Sequence, residues 1–230
     1  MNWYAKTKFF HIAELTAWQV LPCTLTYSRL HHRYRPTAVQ TARYGMYPDV
    51  VDWIPFSSIR DRIIQLHAAN PSIDRIFCDA VSAYVVETTL SQLVLGGSPM
   101  KVFIRVTDLI AAMSSNQQNE SEHDAVALPA PDASALFSSS QYALLAFKAM
   151  RMDCGASHYK VDPNFFGKYP ELYNMSDDIM ATGVPLRPDS QQILTSPGHL
   201  DASIVAIYRS FIDFSFDAAH ELSGRYIIAG

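Results

Sequence analysis

The sequence has few cysteines and none of the short motifs that mark the common enzyme classes. Its three cysteines, Cys23, Cys78 and Cys154, form no Cys-x-x-Cys pair, so neither a zinc ribbon nor a disulfide framework is expected, and a reducing intracellular compartment fits best. Gly-x-Gly-x-x-Gly, Gly-x-x-x-x-Gly-Lys-Ser/Thr, Gly-x-Ser-x-Gly and His-Glu-x-x-His are all missing. Their absence argues against nucleotide-dependent enzymes, common serine hydrolases and zincins. We therefore expect no cofactor and no bound metal.

Long apolar runs without charge are also missing. Lys6, Lys8, His11 and Glu14 interrupt the apolar residues near the N-terminus, so a signal peptide is not expected there. No stretch approaches the length of a membrane span. These features predict an intracellular protein of the nucleus or the cytoplasm that has no membrane partner.

A strong excess of one charge is absent from the chain as a whole, but the charges are unevenly distributed. The 18 Lys and Arg face 22 Asp and Glu, which gives a net charge of −4. Residues 1–48 hold six of the bases and one acid, so they carry +5 and the remainder carries −9. The basic residues between Arg29 and Arg35 could either contact phosphate groups or attach this segment to acidic groups of the remaining chain. We favour the second, because +5 is weak beside a true basic DNA-binding region, and we predict a basic arm over residues 1–34.

The sequence does contain enough apolar material for a core, arranged mostly with helical spacing. Hydrophobic residues make up 49% of the chain, which is typical of a globular protein. Apolar residues recur every three or four positions after Ser57, after Pro71, after Ser140 and over 204–222, and predict a helix in each place. The predicted fold is mainly α. It is a single irregular helical domain over residues 35–230, with long Pro-rich loops, a flexible loop at 114–127 and at most a short strand pair.

Two stretches carry more specific structural predictions. Lys101–Met113 is expected to begin as a short strand and to turn into a helix. The helix that starts at Ile73 is expected to continue to Gly96, which would place Asp79 and Glu87 on roughly one face. Such a pair of carboxylates can form an acid–base site, although the solvated side of a helix is the more common explanation.

Residues 153–162 hold the group of side chains most suggestive of chemistry. Asp153, Cys154, His158 and Asp162 would supply a thiolate–imidazole pair and a carboxylate to orient the ring. A glycine lies inside this spacing, so a structural histidine and a free buried cysteine are favoured. If the protein is an enzyme, we predict that its catalytic residues are His158, Asp162, Asp153 and Glu87.

Two segments of the sequence carry a family resemblance. The first reads Arg35-Pro-Thr-Ala-Val-Gln40 and then Tyr47-Pro-Asp-Val-Val-Asp-Trp-Ile-Pro-Phe-Ser-Ser-Ile-Arg-Asp-Arg-Ile63. The second reads Ile73-Asp-Arg-Ile-Phe-Cys-Asp79. They resemble a fungal domain of unknown function that follows the basic-leucine-zipper (bZIP) region in ascomycete transcription regulators. The pattern of that domain is Pro-Thr-x-x-Gln, His-Pro, an Asp between apolar positions, Pro-aromatic and Arg-Asp.

The resemblance implies a regulatory or protein-interaction module with a protein partner, linked to the control of secondary-metabolite genes. Tyr47 stands where the family usually has His, and the Trp-rich C-terminal portion is missing. No basic region and no leucine heptads precede Arg35, so direct sequence-specific binding of nucleic acid is not expected. Two alternatives stay open: a stand-alone secondary-metabolism enzyme with an acid/base site in an apolar pocket, and a fragment of a longer bZIP protein. The oligomeric state is open as well.

Overall fold

The computed structural model of the protein describes residues 2–115, 126–153 and 156–188. The predicted helix over 204–222, most of the predicted loop at 114–127 and Cys154 lie outside these residues. Backbone contacts define two compact units, one that includes Met1–Pro36 and one that spans Thr37–Gln192. The separation of a basic arm at 1–34 from a body at 35–230 stays a prediction.

The unit that includes Met1–Pro36 is helical. Its elements are α1 Asn2–Val20, α2 Thr24–Arg29 and a 3-10 turn at His32–Tyr34. Cys23 is the N-cap residue of α2, and Thr26 Oγ1 accepts its backbone N–H at 3.2 Å, which satisfies a donor that the helix leaves open. The buried apolar side chains of the unit include Ile12, Leu15, Leu30 and Tyr34.

The second unit begins with three helices, α3 Ala38–Ala42, α4 Ser57–His67 and α5 Ile73–Ser82. The predictions of a helix after Ser57 and of another after Pro71 are therefore confirmed. A 3-10 turn at Asp49–Trp53 precedes α4. The buried face of α4 contains Ile59, Ile63 and Ile64, none of which has any exposed surface.

Among the described residues of this unit, four strands form one sheet and correct two predictions. They are β1 Tyr84–Thr89, β2 Lys101–Arg105, β3 Tyr159–Val161 and β4 Val184–Pro185, in the order β3-β1-β2-β4. β1 is antiparallel to β2 and β3, and β4 is parallel to β2. The sheet is larger than the predicted strand pair, and α5 ends at Ser82 instead of continuing to Gly96. The sequence Tyr-Val-Val-Glu-Thr-Thr of β1 is rich in β-branched and aromatic residues, which suit a pleated, half-buried surface.

Short helices complete the described part of the second unit. They are α6 Leu90–Leu93, α7 Val106–Ser115, α8 Ala135–Ser138, α9 Ser140–Ala149 and α10 Pro163–Lys168. β2 followed by α7 confirms the strand-to-helix prediction for Lys101–Met113, and α9 confirms the helix predicted after Ser140. The described residues are thus mainly helical with a small sheet. Within them, no helix combines the length and the apolar character that crossing a membrane requires.

The two faces of the sheet differ in chemistry, because side chains alternate along each strand. One face is apolar and buried, and it includes Tyr84, Val86, Ile104, Tyr159 and Val161. The opposite face carries the charged side chains of Glu87, Lys101, Arg105 and Lys160. We call it the charged face of the sheet.

Candidate functional site

The residues that carry the family resemblance fold into a buried polar network. Gln40 Nε2 donates to Asp52 Oδ1 at 2.6 Å. Its Oε1 accepts from Arg60 Nε and from the backbone N–H of Thr37, both at 3.0 Å. Tyr47 Oη donates to Asp52 Oδ1 at 2.9 Å. The network joins α3, the 3-10 turn at Asp49–Trp53 and α4.

Burial gives this network a structural role. Arg60 has no exposed surface and Asp52 is 4% exposed, so neither side chain is available to a ligand. Arg60 Nη1 also donates to the carbonyl of Ile54 at 2.6 Å. Burial raises the pKa of Asp52, against hydrogen bonds from Gln40 and Tyr47 that lower it. Burial and the carboxylate of Asp52 raise the pKa of Tyr47, whose hydroxyl therefore remains a donor.

Glu87 organises the charged face of the sheet. Its Oε2 lies 2.8 Å from Lys101 Nζ and 3.2 Å from Lys160 Nζ. Its Oε1 accepts the backbone N–H of Thr182 at 2.6 Å and that of Gly183 at 3.2 Å. Burial raises the pKa of Glu87, but the hydrogen bonds from Lys101, Thr182 and Lys160 outweigh it and hold the pKa at about 2. Glu87 is therefore a fixed anion rather than a proton carrier at neutral pH.

An extended segment, residues 179–187, crosses the charged face, and we call it the strap. Its backbone bonds to β3 at one end, where the N–H of Val161 donates to the carbonyl of Ile179 at 2.7 Å. At the other end, the N–H of Leu186 donates to the carbonyl of Phe103 at 2.9 Å. β4, which pairs with β2, is the middle of the strap. Ala181 is its one buried apolar side chain and lies with Val85 and Phe103.

Asp162 anchors the last residue of the strap. Its Oδ1 accepts the backbone N–H of Asn164 at 2.9 Å and so caps α10. Its Oδ2 lies 3.2 Å from Arg105 Nε and 3.5 Å from an Nη atom of Arg187. Although these distances define ion pairs, the Nε atoms of both arginines are buried without a well-aligned hydrogen bond to the described residues. The contacts are mainly Coulombic, because the strength of a hydrogen bond falls steeply with misalignment.

An open cleft of about 250 Å³ lies beside Asp162. On its far side Asp79 Oδ2 pairs with Lys168 Nζ at 2.5 Å and accepts from Tyr169 Oη at 2.6 Å. The lining side chains thus hold equal numbers of cationic and anionic groups, already paired with one another. The cleft is lined by Asp79, Ser82, Ala83, Arg105, Asp162, Asn164, Phe165 and Lys168.

The structure brings two of the four predicted catalytic residues to the same side of the sheet. Glu87 and Asp162 lie on the charged face, but each has separate ion-pair partners. His158 and Asp153 are exposed, and neither lines the cleft. Glu87 lies on β1 rather than on a helix with Asp79, so that predicted carboxylate pair is wrong. The catalytic assignment of the four residues itself stays a prediction.

Sequence reasoning missed the side chains that complete the charged face. Lys101, Arg105 and Lys160 converge there because β1 pairs with both β2 and β3, which brings together residues up to 77 positions apart. The available signal was the β-branched sequence of Tyr84–Thr89 followed by the alternating sequence of Lys101–Arg105. Across the described residues, no group of three His, Cys, Asp or Glu side chains is arranged to hold a metal ion.

The fold and the site define a mainly helical domain with a small sheet, one face of which is charged and holds an extended segment. The sequence matches the model of a family described as a domain of unknown function (DUF3425), over residues 13–179. The chain belongs to this family. No curated protein and no solved structure matches it.

Proposed function

We propose that the protein is a regulatory protein-interaction module rather than an enzyme. The observation that carries the proposal is the set of contacts made by Glu87 and Asp162, the two predicted catalytic carboxylates that lie on the charged face. Glu87 is saturated by two lysines and two backbone N–H groups. Asp162 caps a helix and pairs with two arginines. Carboxylates held in this way stabilise structure, whereas a general acid or base needs a free lone pair or proton at the substrate.

The resemblance supplies the cellular setting of the proposal. We place the protein among relatives of the domain that follows the bZIP region in ascomycete transcription regulators, acting in the nucleus or cytoplasm of a filamentous fungus. Its role is then to influence the expression of a secondary-metabolite gene cluster through a protein partner, without a DNA-reading region of its own. The buried network supports this proposal, because the recognisable residues Gln40, Asp52 and Arg60 build a scaffold and contribute no reactive group to the surface.

The experiment that tests the proposal is deletion of the gene in the producing fungus. Transcripts of the neighbouring genes and the metabolite profile are measured together. We expect the transcripts to fall together, with loss of the final product. Steady transcripts with accumulation of one intermediate would overturn the regulatory proposal and favour a biosynthetic enzyme.

The cleft beside Asp162 is the observation that favours the enzyme alternative. It places a carboxylate next to Arg105, Lys168 and an open volume of about 250 Å³. Under this alternative the deletion strain regains product with the wild-type gene, but not with Asp162→Asn or His158→Ala. The regulatory proposal predicts that His158→Ala restores product fully, because His158 is exposed and lies outside the cleft.

A further inference from the structure

We propose that the charged face of the sheet is a peptide-binding groove whose internal ligand is the strap, and that it accepts an extended segment of a partner protein with the pattern small-x-Gly-x-x-x-basic. This inference rests on the proposed interaction role and names the partner's chemistry. In the resting protein the strap occupies the groove, and the partner's segment replaces it.

The groove recognises main chain. The side chain of Glu87 accepts two consecutive backbone N–H groups, those of Thr182 and Gly183, which requires an extended peptide but little of its side chains. Strand edges bind the strap at both of its ends. The N–H of Ala181 donates to the carbonyl of Val161 at 3.0 Å, and the N–H of Leu186 donates to the carbonyl of Phe103 at 2.9 Å. Addition of an extended peptide to a sheet edge is an established mode of peptide recognition.

Three positions of the strap select side chains. Ala181 is 2% exposed and lies with Val85 and Phe103, so only a small residue fits there. A Cβ atom at Gly183 would lie 2.9 Å from the carbonyl oxygen of Lys101 and 3.0 Å from the carbonyl carbon of Val102, so this position requires glycine.

The third selective position is Arg187, four residues after the glycine. It pairs with Asp162 at 3.5 Å, and this carboxylate is 4% exposed. The side chains between Gly183 and Arg187 are selected less strictly, because Val184 is 50% exposed and Pro185 is also exposed. Together the three positions give the pattern small-x-Gly-x-x-x-basic.

Several features make the strap replaceable. It buries a single apolar side chain completely, and hydrophobic burial is what usually fixes a segment in place. Its Arg187 approaches Asp162 through an Nη atom at 3.5 Å, which is too long for a strong hydrogen bond, so the basic end is held mainly by charge. The family match ends at residue 179, so the groove walls Glu87, Lys101 and Asp162 lie within the matched domain, whereas the strap from residue 180 onward lies beyond it.

The test uses the full chain and a fluorescent peptide of residues 178–188, Asp-Ile-Met-Ala-Thr-Gly-Val-Pro-Leu-Arg-Pro. Two variants weaken the strap and leave the groove unchanged: Gly183→Val at its middle and Arg187→Glu at its end. We expect the peptide to bind each variant at least tenfold more tightly than wild type, because the internal strap no longer competes for the groove. Circular dichroism and thermal unfolding establish that both variants are folded.

Peptide controls test the pattern by changing the peptide while the strap variant of the protein stays the same. Peptides with Val at the glycine position, or with Glu at the arginine position, should bind the Gly183→Val protein at least tenfold more weakly than the native peptide. Adding Glu87→Gln to that protein should weaken the native peptide as well. Failure of the native peptide to bind both folded strap variants, or equal binding of all three peptides, overturns the inference.

Two further outcomes separate this inference from others. Light scattering is used to look for wild-type dimers, and a cross-link between residue 183 of one copy and residue 101 of the other proves that their straps are exchanged. Such dimers would show that the occupant of the groove is a second copy of the chain and not a segment of another protein. If the gene deletion lowers neighbouring transcripts while the peptide fails to bind, the inference of a peptide-binding groove is refuted and the regulatory role is supported. If the peptide binds while those transcripts hold steady, the groove is supported and the regulatory role is refuted.

Discussion

Glu87 joins three strands and the strap through a single carboxylate. Lys101 reaches it from β2, Lys160 from β3, and the N–H groups of Thr182 and Gly183 from the strap. Exposed ion pairs contribute little to stability, but Glu87 is 10% exposed and several of its donors act at once. Replacement by glutamine keeps the shape of the side chain and removes its charge.

We predict that Glu87→Gln lowers the free energy of unfolding by about 1–2 kcal/mol at pH 7. The folded-state pKa is about 2, below the ordinary value of 4.5, so the stabilisation by the charged carboxylate is complete above pH 4.5. It is lost as the pH falls from 4.5 towards 2. The difference between wild type and variant, measured by urea unfolding, should therefore shrink across this window. A difference that stays constant down to pH 2.5 would contradict the assignment.

Arg60 illustrates the cost of a buried charge. Because Arg60→Met removes the donor to Gln40 and to the carbonyl of Ile54, it leaves both acceptors buried. We expect it to lower the free energy of unfolding by roughly 3–5 kcal/mol, as for other broken buried polar networks. The matched control is Arg62→Met on the same helix, an exposed position where the change should stay within about 0.5 kcal/mol. Equal unfolding midpoints for the two variants would refute a structural role for the network.

The strap depends on a close approach between two backbones. We predict that Gly183→Ala destabilises the protein by about 1–3 kcal/mol, because the added methyl group meets the backbone of β2 and nearby atoms must shift. Limited proteolysis should show faster cleavage within residues 179–187. Gly167→Ala on α10 is the control: nothing lies within 4 Å of its added Cβ, so a neutral or slightly stabilising effect is expected. Similar cleavage rates in the two variants would argue against the clash.

Elements whose cause is local were predictable from the sequence. The helix after Ser57, the helix after Ser140 and the change from strand to helix in Lys101–Met113 all follow from apolar spacing and capping residues nearby in the chain. Strand β1 could not be predicted in this way, because the helical spacing that starts at Ile73 continues through Val85. What decides the strand is pairing with residues 101–105 and 159–161, and that information lies elsewhere in the chain.

The candidate site was harder to predict for the same reason. Glu87 and Asp162 were identified as chemically interesting from their residue type, but their lysine and arginine partners depend on strand register. Arg60 lies on a helix whose spacing places it towards solvent, and its burial depends on Gln40, 20 residues earlier. The strap offers no periodic signal at all, since most of its contacts to the sheet are made by backbone groups, and its selective side chains are only Ala181 and Arg187.

The unit that includes Met1–Pro36 and the unit Thr37–Gln192 respond to acid through different groups. In the first, burial lowers the pKa of His31 to about 4, with further lowering by the neighbouring His32 and His11. Burial and Lys8 likewise lower the pKa of His11. Both histidines therefore oppose folding once they are protonated. Burial raises the pKa of Glu14, which acts in the opposite direction.

In the second unit the groups with raised pKa values delay the effect of acid. Burial raises the pKa of Asp52 and of Asp108, so both take up protons more readily in the folded state and favour it as the pH falls. Glu87 has the opposite shift, and the stability that it contributes is lost only below its ordinary pKa of 4.5. The second unit should thus resist acid to a lower pH than the first.

We accordingly predict that acid loosens the two units in separate windows. The stability due to neutral His31 is complete above pH 6.5, its ordinary pKa, and declines as the pH falls to about 4. Hydrogen exchange, corrected for the intrinsic pH dependence of the rate, should show loss of protection in residues 2–36 over that range. The described residues between 37 and 188 should keep their protection until the pH is below 4.5. His31→Gln should reduce the early loss, since glutamine takes up no proton, whereas loss of protection in both units at one pH would show that the histidines do not control the first unit.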